Sequence, residues 1–337
     1  MTRYITRRVL WAVVLFIAVT IVSYIIFFVI PVDPARLVAG KGARPEDIKR
    51  AAHFIGTDKP IWWQYGRFLG RLIGVHWQAQ GADFWHIKFA TPSLGRSFAN
   101  RQDINSVVAA AAPVTASLIF GAAILWMLIA IPLGVFSALR PRSIMDRVAM
   151  VGVLFGISAH PVWLGLLFSY FFGYRLGWTP ITGYCDFFHS QTDCSGVGPW
   201  FYHLILPWAT FAILFAALYV RMIRANVMET LNEDYVRTAR AKGASESRVI
   251  GVHVLRNAML PVVTMLGMDI SVSLGGAIFT ESVYGLPGLG RELVQSLSSF
   301  DLPTTLGITV FGTVAIIVIQ LFVDIMYAFI DPRIKLG

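Results

Sequence analysis

Few residues in this chain have a type and spacing that could do chemistry. Cys185 and Cys194 are its only cysteines among 337 residues. Two thiols are too few for the usual thiolate metal centre, which needs more ligands at closer spacing. A disulfide is the favoured use, and two free thiols the alternative. Asp269 lies inside the apolar run Ala258–Thr280. A carboxylate at mid-membrane costs about 2.5–3.5 kcal/mol on insertion scales, so it needs a role. It could face a pathway and meet a cationic group, or pair across a subunit interface. Ser271 and His160 are further polar residues in such runs, and His160-Pro161 suits a helix kink. The segment "EDYVRTARAKGASESRVI", Glu233–Ile250, concentrates acids and bases in a chain that is 56% hydrophobic and only 14% charged. The sequence contains no HExxH, no G-x-S-x-G, no Cys/His ligand cluster and no G-x-x-x-x-G-K-[ST] phosphate loop. Catalytic and metal residues are therefore assigned as none.

The elements that must position these residues are membrane helices. About 20 apolar residues cross the hydrocarbon core. Six runs qualify: Val9–Ile30, Pro113–Leu139, Val148–Tyr174, Trp200–Val220, Ala258–Thr280 and Thr304–Ile330. The expected fold class is an all-α polytopic membrane protein of six transmembrane helices, with Ile104–Ala112 as a lead-in helix. Asp324, near the end of the last run, reads as structural. Basic residues set the orientation. Arg3, Arg7 and Arg8 precede the first run, and Arg140, Arg142 and Arg147 separate the second and third. Arg221, Arg224, Arg237, Arg240, Lys242, Arg248 and Arg256 surround the charged segment, and Arg333 and Lys335 follow the last run. The short loops of opposite parity hold only Arg175 and Arg291; the long segment 31–103 holds many basic residues, but loops of that length contribute little to orientation. Both termini and residues 224–257 are thus expected in the cytoplasm, and 31–103 as an extracytoplasmic insertion. The cysteines fall outside, where oxidation is favoured, and closing their loop would stabilise it by about 2–3 kcal/mol in the chain-entropy model. The formal charge of +9 reflects cytoplasmic loops rather than a nucleic-acid surface.

Within the insertion, "RPEDIKRAAHFIG" predicts a helix from Pro45 with a stop at Gly56. "PIWWQYGRFLGRLIG" places Trp62, Tyr65, Phe68, Leu69 and Leu72 at helical spacing, suiting a membrane–water interface or a small cap on the bundle. Small residues recur every fourth position at Gly267, Ser271 and Gly275, and at Ala109, Pro113, Ser117 and Gly121. This spacing favours close helix packing.

In the charged segment Asn232 or Asp234 can cap a helix, Gly243 can stop it, and Ser245 can cap the next. Tyr235, Ala239 and Gly243 share a stripe on which a partner could approach, flanked by Asp234, Arg237 and Lys242. A solvated connecting helix is the alternative. The segment resembles the coupling-loop motif of bacterial ABC-importer permeases: Glu-Ala-Ala, three residues, Gly, then Leu-Pro. Here those positions read Arg237-Thr238-Ala239, Gly243 and Leu260-Pro261. The late Leu-Pro in "LRNAMLPVV" resembles the dipeptide/oligopeptide/nickel branch, as do "RYITRRVLWAVVL", "PVDPARLVAG", "IGTDKPIWWQYGRFLGRLI", "PSLGRSF", "IPLGVFSAL" and "ESVYGLPGLGRELVQSLSSFDLPTTLGI".

The resemblance implies a type I ABC importer permease fold in a bacterial inner membrane. It implies a second homologous permease, two ATPase subunits or domains, an extracytoplasmic binding protein, and a peptide substrate, with nickel or another small solute as the alternative. ATP and Mg would act in the ATPase partners, and this chain would carry no cofactor. Membrane lipid is a partner and nucleic acid is not. Asp234, Tyr235, Arg237, Ala239, Lys242 and Gly243 are the expected ATPase-coupling residues. Asp269, Ser271 and His160 are the pathway candidates. Tyr284, Pro287, Gly288 and Arg291 in "YGLPGLGREL" are expected at an outer gate or binding-protein contact, or simply in a compact loop. An ion-coupled secondary transporter is the rival class, with one mid-span Asp in its favour.

Overall fold

The computed structural model describes residues 2–26, 34–40, 42–55, 58–80, 84–187 and 194–330. Arg333 and Lys335 lie outside them, as do Gly56, the surroundings of Gly275 and the side chain of Asp324. Among the described residues, four helices are long and apolar enough to cross a membrane, or up to six if each of two bent helix pairs is one span. The chain divides into two compact units: Met1–Pro113 with Glu292–Ile317, and Val114–Arg291 with Val318–Leu336.

In the first unit the apolar helix Thr2–Tyr24 is followed by the short helices Pro34–Ala39, Pro45–Ile55 and Ile61–Leu72. Pro45 opens its helix as expected, with Glu46 and Asp47 at the positive end of the dipole. Ile61–Leu72 turns Tyr65, Phe68, Leu69 and Leu72 toward Tyr24, Leu306 and Val310. Thr20 Oγ1 lies 2.9 Å from the Tyr65 hydroxyl. Trp62 leaves this face and is 74% exposed. An antiparallel hairpin follows, Val75–Gln80 against Phe84–Phe89, with Val75 opposite Phe89. It departs from the all-α expectation, and its strands are built by backbone pairing that helical periodicity does not reveal. Asp301 then ties "PSLGRSF" to the last long helix, accepting hydrogen bonds from Ser97 Oγ at 2.5 Å, the Phe98 N–H at 2.9 Å and Thr304 Oγ1 at 2.6 Å.

The core of the second unit lies where Ile104–Leu139, Ile144–Ser158 and Val197–Leu231 meet around Leu118, Trp126, Leu204, Tyr219 and Ile223. Trp126 stacks on Phe215 with ring centroids 4.6 Å apart. The small-residue positions serve packing here. A Cβ on Gly121 would lie 2.1 Å from the Trp208 ring, and one on Gly267 2.2 Å from Val323. The predicted lead-in and second span form one continuous helix, Ile104–Leu139.

At His160-Pro161 the chain breaks rather than kinks. Ile144–Ser158 and Pro161–Arg175 meet at 105°. The residue before a proline is pushed out of the α region, and Ala159 and His160 both adopt extended backbone. Pro161 then opens the next helix with His160 as its N-cap, the ring Nδ1 accepting from the Val162 N–H at 3.3 Å. The second bent pair joins Glu246–Ala258 to Leu260–Ser273 at 44°.

Candidate functional site

The charged segment folds as two helices around Gly243. The first, Asp234–Ala241, has Glu233 as its N-cap, with no side-chain capping bond. Neither Asn232 nor Asp234 takes that place: Asn232 ends the preceding helix, its amide donating to the Met228 carbonyl, and Asp234 is the first helical residue. Gly243 has φ +80°, a left-handed conformation that suits glycine at a helix end. Its N–H donates to the Arg240 carbonyl, and the Ala244 N–H donates to that of Ala239. Ser245 begins the second helix as its N-cap without a side-chain capping bond. Arg240 spans the turn, Nε donating to Glu246 Oε1 at 2.8 Å and Nη2 to Oε2 at 3.4 Å.

The inward face differs from the stripe read from sequence. Val236 is fully buried and joins the core with Val249, Val254 and Ala258. Ala239 packs inward beside it and is half-buried. Tyr235 stays 40% exposed, and its hydroxyl accepts from Asn257 Nδ2 at 2.8 Å. Nothing lies within 4 Å of a Cβ built on Gly243, so its requirement is conformational. The helix is thus bolted through Val236 and Ala239, and presents Asp234, Tyr235, Arg237 and Lys242 outward. The Asp234 side chain is 99% exposed; its contact with Arg237 at 3.7 Å is a surface ion pair of little energetic weight.

On the helix that leads into this segment, Arg224 takes part in a clamp that sequence reasoning missed. Arg224 donates to Asp146 through Nε at 2.8 Å and Nη2 at 3.1 Å. Ser137 Oγ and the Arg142 N–H donate to the same buried carboxylate. Arg142 has φ +65°, unusual for a residue with a side chain, and Asp146 holds it there. The clamp joins the end of Ile104–Leu139, the loop after it, the first turn of Ile144–Ser158 and the last turns of Val197–Leu231. Arg224 counts in the sequence only as a topology charge. Asp146, the acid in the first turn of an apolar helix, is the signal that could have found it.

The candidate pathway residues are not brought together. Asp269 accepts from the Tyr219 hydroxyl at 2.6 Å. Ser271 is buried, its hydroxyl donating to the Gly267 carbonyl of its own helix. The His160 ring meets Phe279 edge-on at 5.3 Å.

The Tyr284–Arg291 loop is organised by Glu281, a second residue missed. Its carboxylate is fully buried, accepting from Thr115 Oγ1 at 2.6 Å and the Arg291 N–H at 3.0 Å. The Leu289 N–H donates to the same Thr115 oxygen. A Cβ on Gly288 would lie 2.3 Å from the Glu281 carboxyl, so the loop closes only over a glycine. Arg291 Nη1 donates to the Gly285 carbonyl at 2.6 Å. Tyr284 is buried, its hydroxyl 2.7 Å from Thr210 Oγ1. Of the four residues expected at an outer contact, only Pro287 is exposed. Gly288 and Arg291 serve the closure of the loop itself.

Cys185 and Cys194 form a disulfide, with His203 Nδ1 3.2 Å from the Cys185 sulfur.

A family model described as binding-protein-dependent transport system inner membrane component matches residues 130–336. A second, described as the N-terminal membrane component of such systems, matches residues 1–119. The chain belongs to this family. Its charged turn and its Glu281 loop both fall within the longer match. Among similar proteins, one of Brucella abortus (strain 2308), described as a peptide transport system permease protein, is 35% identical over 99% of both chains. The dipeptide transport system permease protein of Alkalihalophilus pseudofirmus is 33% identical over 99% of this chain and 100% of its own. The oligopeptide transport system permease protein of Bacillus subtilis is 34% identical with the same coverage. Of solved structures, an amino acid ABC transporter crystallised with histidines aligns with 67% of this chain and 94% of its own, at 16% identity and TM-score 0.49.

Proposed function

We propose that this chain is the membrane-spanning subunit of an ATP-driven importer of di- or oligopeptides, in a bacterial inner membrane. With a second, homologous permease it forms the pathway for peptides that an extracytoplasmic binding protein delivers. Each bent helix pair counts as one span, which gives six, with both termini in the cytoplasm, residues 31–103 outside, and 224–257 inside. ATP and Mg act in two partner ATPases.

The observation that carries this reading is the helix Asp234–Ala241, buried through Val236 with Asp234, Arg237 and Lys242 turned outward. A partner groove that moves this helix moves the turn at Gly243 and the helix Glu246–Ala258 bonded to it. That displacement passes to the bent span beyond, and alternating access follows from rigid elements rocking about a central site. Asp269 is the pathway candidate that the geometry supports best: it is half-buried in a membrane helix and held by one hydroxyl, leaving acceptor capacity for a substrate amine. Ser271, whose hydroxyl donates to its own helix, is the weaker candidate.

The test is uptake of labelled di- and oligopeptides by vesicles containing the reconstituted complex. Uptake should persist when ion gradients are collapsed and stop without ATP. Uptake that follows the gradient and ignores ATP would instead establish a secondary transporter.

A further inference from the structure

The helix Ile61–Leu72 carries two arginines one turn apart, Arg67 and Arg71. Its inward residues place it beside Tyr24, at the end of the apolar helix Thr2–Tyr24, and beside Leu306 and Val310, in the opening turns of Leu302–Ile330. With Leu302–Ile330 read as a span, the helix sits beside its first turns, toward one membrane–water boundary. Arg67 lies over the Trp63 ring, 5.8 Å from its centroid. Arg71 is different. Its guanidinium makes no hydrogen bond or ion pair with any described residue, and its Nε is sealed from solvent without a partner. Nη1 rests against Gly95, where a Cβ would come within 3.4 Å. Burial pulls both arginines below their ordinary range, Arg67 to about 10, with repulsion from Arg71 adding to the effect there. Asp58, the acid whose field reaches Arg67, is itself in contact with His53 at 3.1 Å and Lys59 at 3.9 Å.

A desolvated cation without a counter-charge is expensive, and such groups are normally paired. The surroundings indicate what supplies the anion. Ile61 and Trp62 on this helix, Ile73 just after it and Phe89 at the end of the hairpin are 53%, 74%, 76% and 81% exposed. Exposed aromatic and aliphatic side chains on an arginine-bearing helix and its adjoining hairpin suit the headgroup level of a bilayer. A peptide carboxylate arriving from water would have no use for them. We propose that Arg71, with Arg67 beside it, binds the headgroup phosphate of an anionic phospholipid lying against this helix. The guanidinium fork matches a phosphate bidentately, and negative headgroups add the long-range attraction that zwitterionic ones lack. Lipid binding here is independent of ATPase docking and needs only that the chain be membrane-embedded.

The experiment uses the assembled complex, delipidated in detergent. Native mass spectrometry would measure retained phosphatidylglycerol against phosphatidylcholine, and thermal melting would be followed with each lipid, with inorganic phosphate, and with a dipeptide. Wild type should retain phosphatidylglycerol preferentially and gain Tm from it. Arg71→Gln should weaken that retention about tenfold, the loss of one charge-assisted contact, while Arg50→Gln, on an exposed arginine, should not. In lipid-free detergent Arg71→Gln should melt no lower than wild type, because it removes an uncompensated charge. A merely structural arginine would give the opposite result. If Arg71→Gln fails to assemble, Arg71→Lys replaces it and should retain an intermediate amount of lipid. Retention equal to wild type in whichever variant is measured overturns the proposal. So does protection through Arg71 by the dipeptide or by inorganic phosphate, without protection by phosphatidylglycerol.

Discussion

The charged turn at 233–250 and the loop at 281–291 handle charge in opposite ways. In the first, Asp234, Arg237 and Lys242 face out and a valine holds the helix down. In the second, Glu281 faces in and Thr115, Leu289 and Arg291 close around it. Both segments depend on glycine, for different reasons: Gly243 for a left-handed backbone, Gly288 for room beside a carboxylate. The contrast separates two uses of charge in an apolar protein. Outward charges with little internal bonding are available to a partner. An inward charge whose bonds are satisfied within the chain fixes a shape.

Substitutions can sharpen or break this contrast. The largest effect should come from Glu281→Ala, which strips the Thr115 hydroxyl and the Arg291 N–H of their acceptor. Each buried donor left unsatisfied costs about 1–3 kcal/mol. Thermal melting of the purified complex should show it plainly, and an unchanged Tm would mean the loop is not organised from within. Next is Gly243→Trp. A side chain in the left-handed region costs about 1–2 kcal/mol. Membrane insertion should survive while transport-coupled ATP hydrolysis falls, and full coupling in that variant would remove the turn from the mechanism. Asn257→Ala should be milder, because it deletes the bond to Tyr235 and a typical net hydrogen bond is worth about 0.5–1.5 kcal/mol. Its readout is the Tm together with ATPase stimulation. Smallest in stability is Arg237→Ala, expected within about 0.5 kcal/mol of wild type. Its effect should appear only in coupling, and a large drop in Tm would mean that Arg237 serves the fold.

The sequence announced features that depend on nearby residues. Long apolar runs marked the helices long and apolar enough to cross a membrane, the proline and acids marked the helix at Pro45, and the helix–Gly243–helix pattern was legible from propensity alone. Features that depend on distant partners were not. Asp146 meets Arg224 across 78 residues, and Thr115 meets Glu281 across 166. An acid in the first turn of an apolar helix marks Asp146 as a candidate, but nothing local names its distant partner. The helical stripe through Tyr235 and Ala239 also misled, since Val236, one residue over, is the position that the core covers. His160-Pro161 signalled a disturbance, but its size, 105°, follows from two consecutive extended residues rather than from proline alone.

The central claim is that the helix Asp234–Ala241 is a handle held by a separate motor. Cross-linking tests it most directly: single cysteines at Asp234, Arg237 and Val236, in membranes containing the partner ATPase, treated with a short bifunctional thiol reagent. The account predicts ATPase adducts from positions 234 and 237 and none from 236. Adducts from 236 alone, or none from 234 and 237 in a complex that transports, would contradict it.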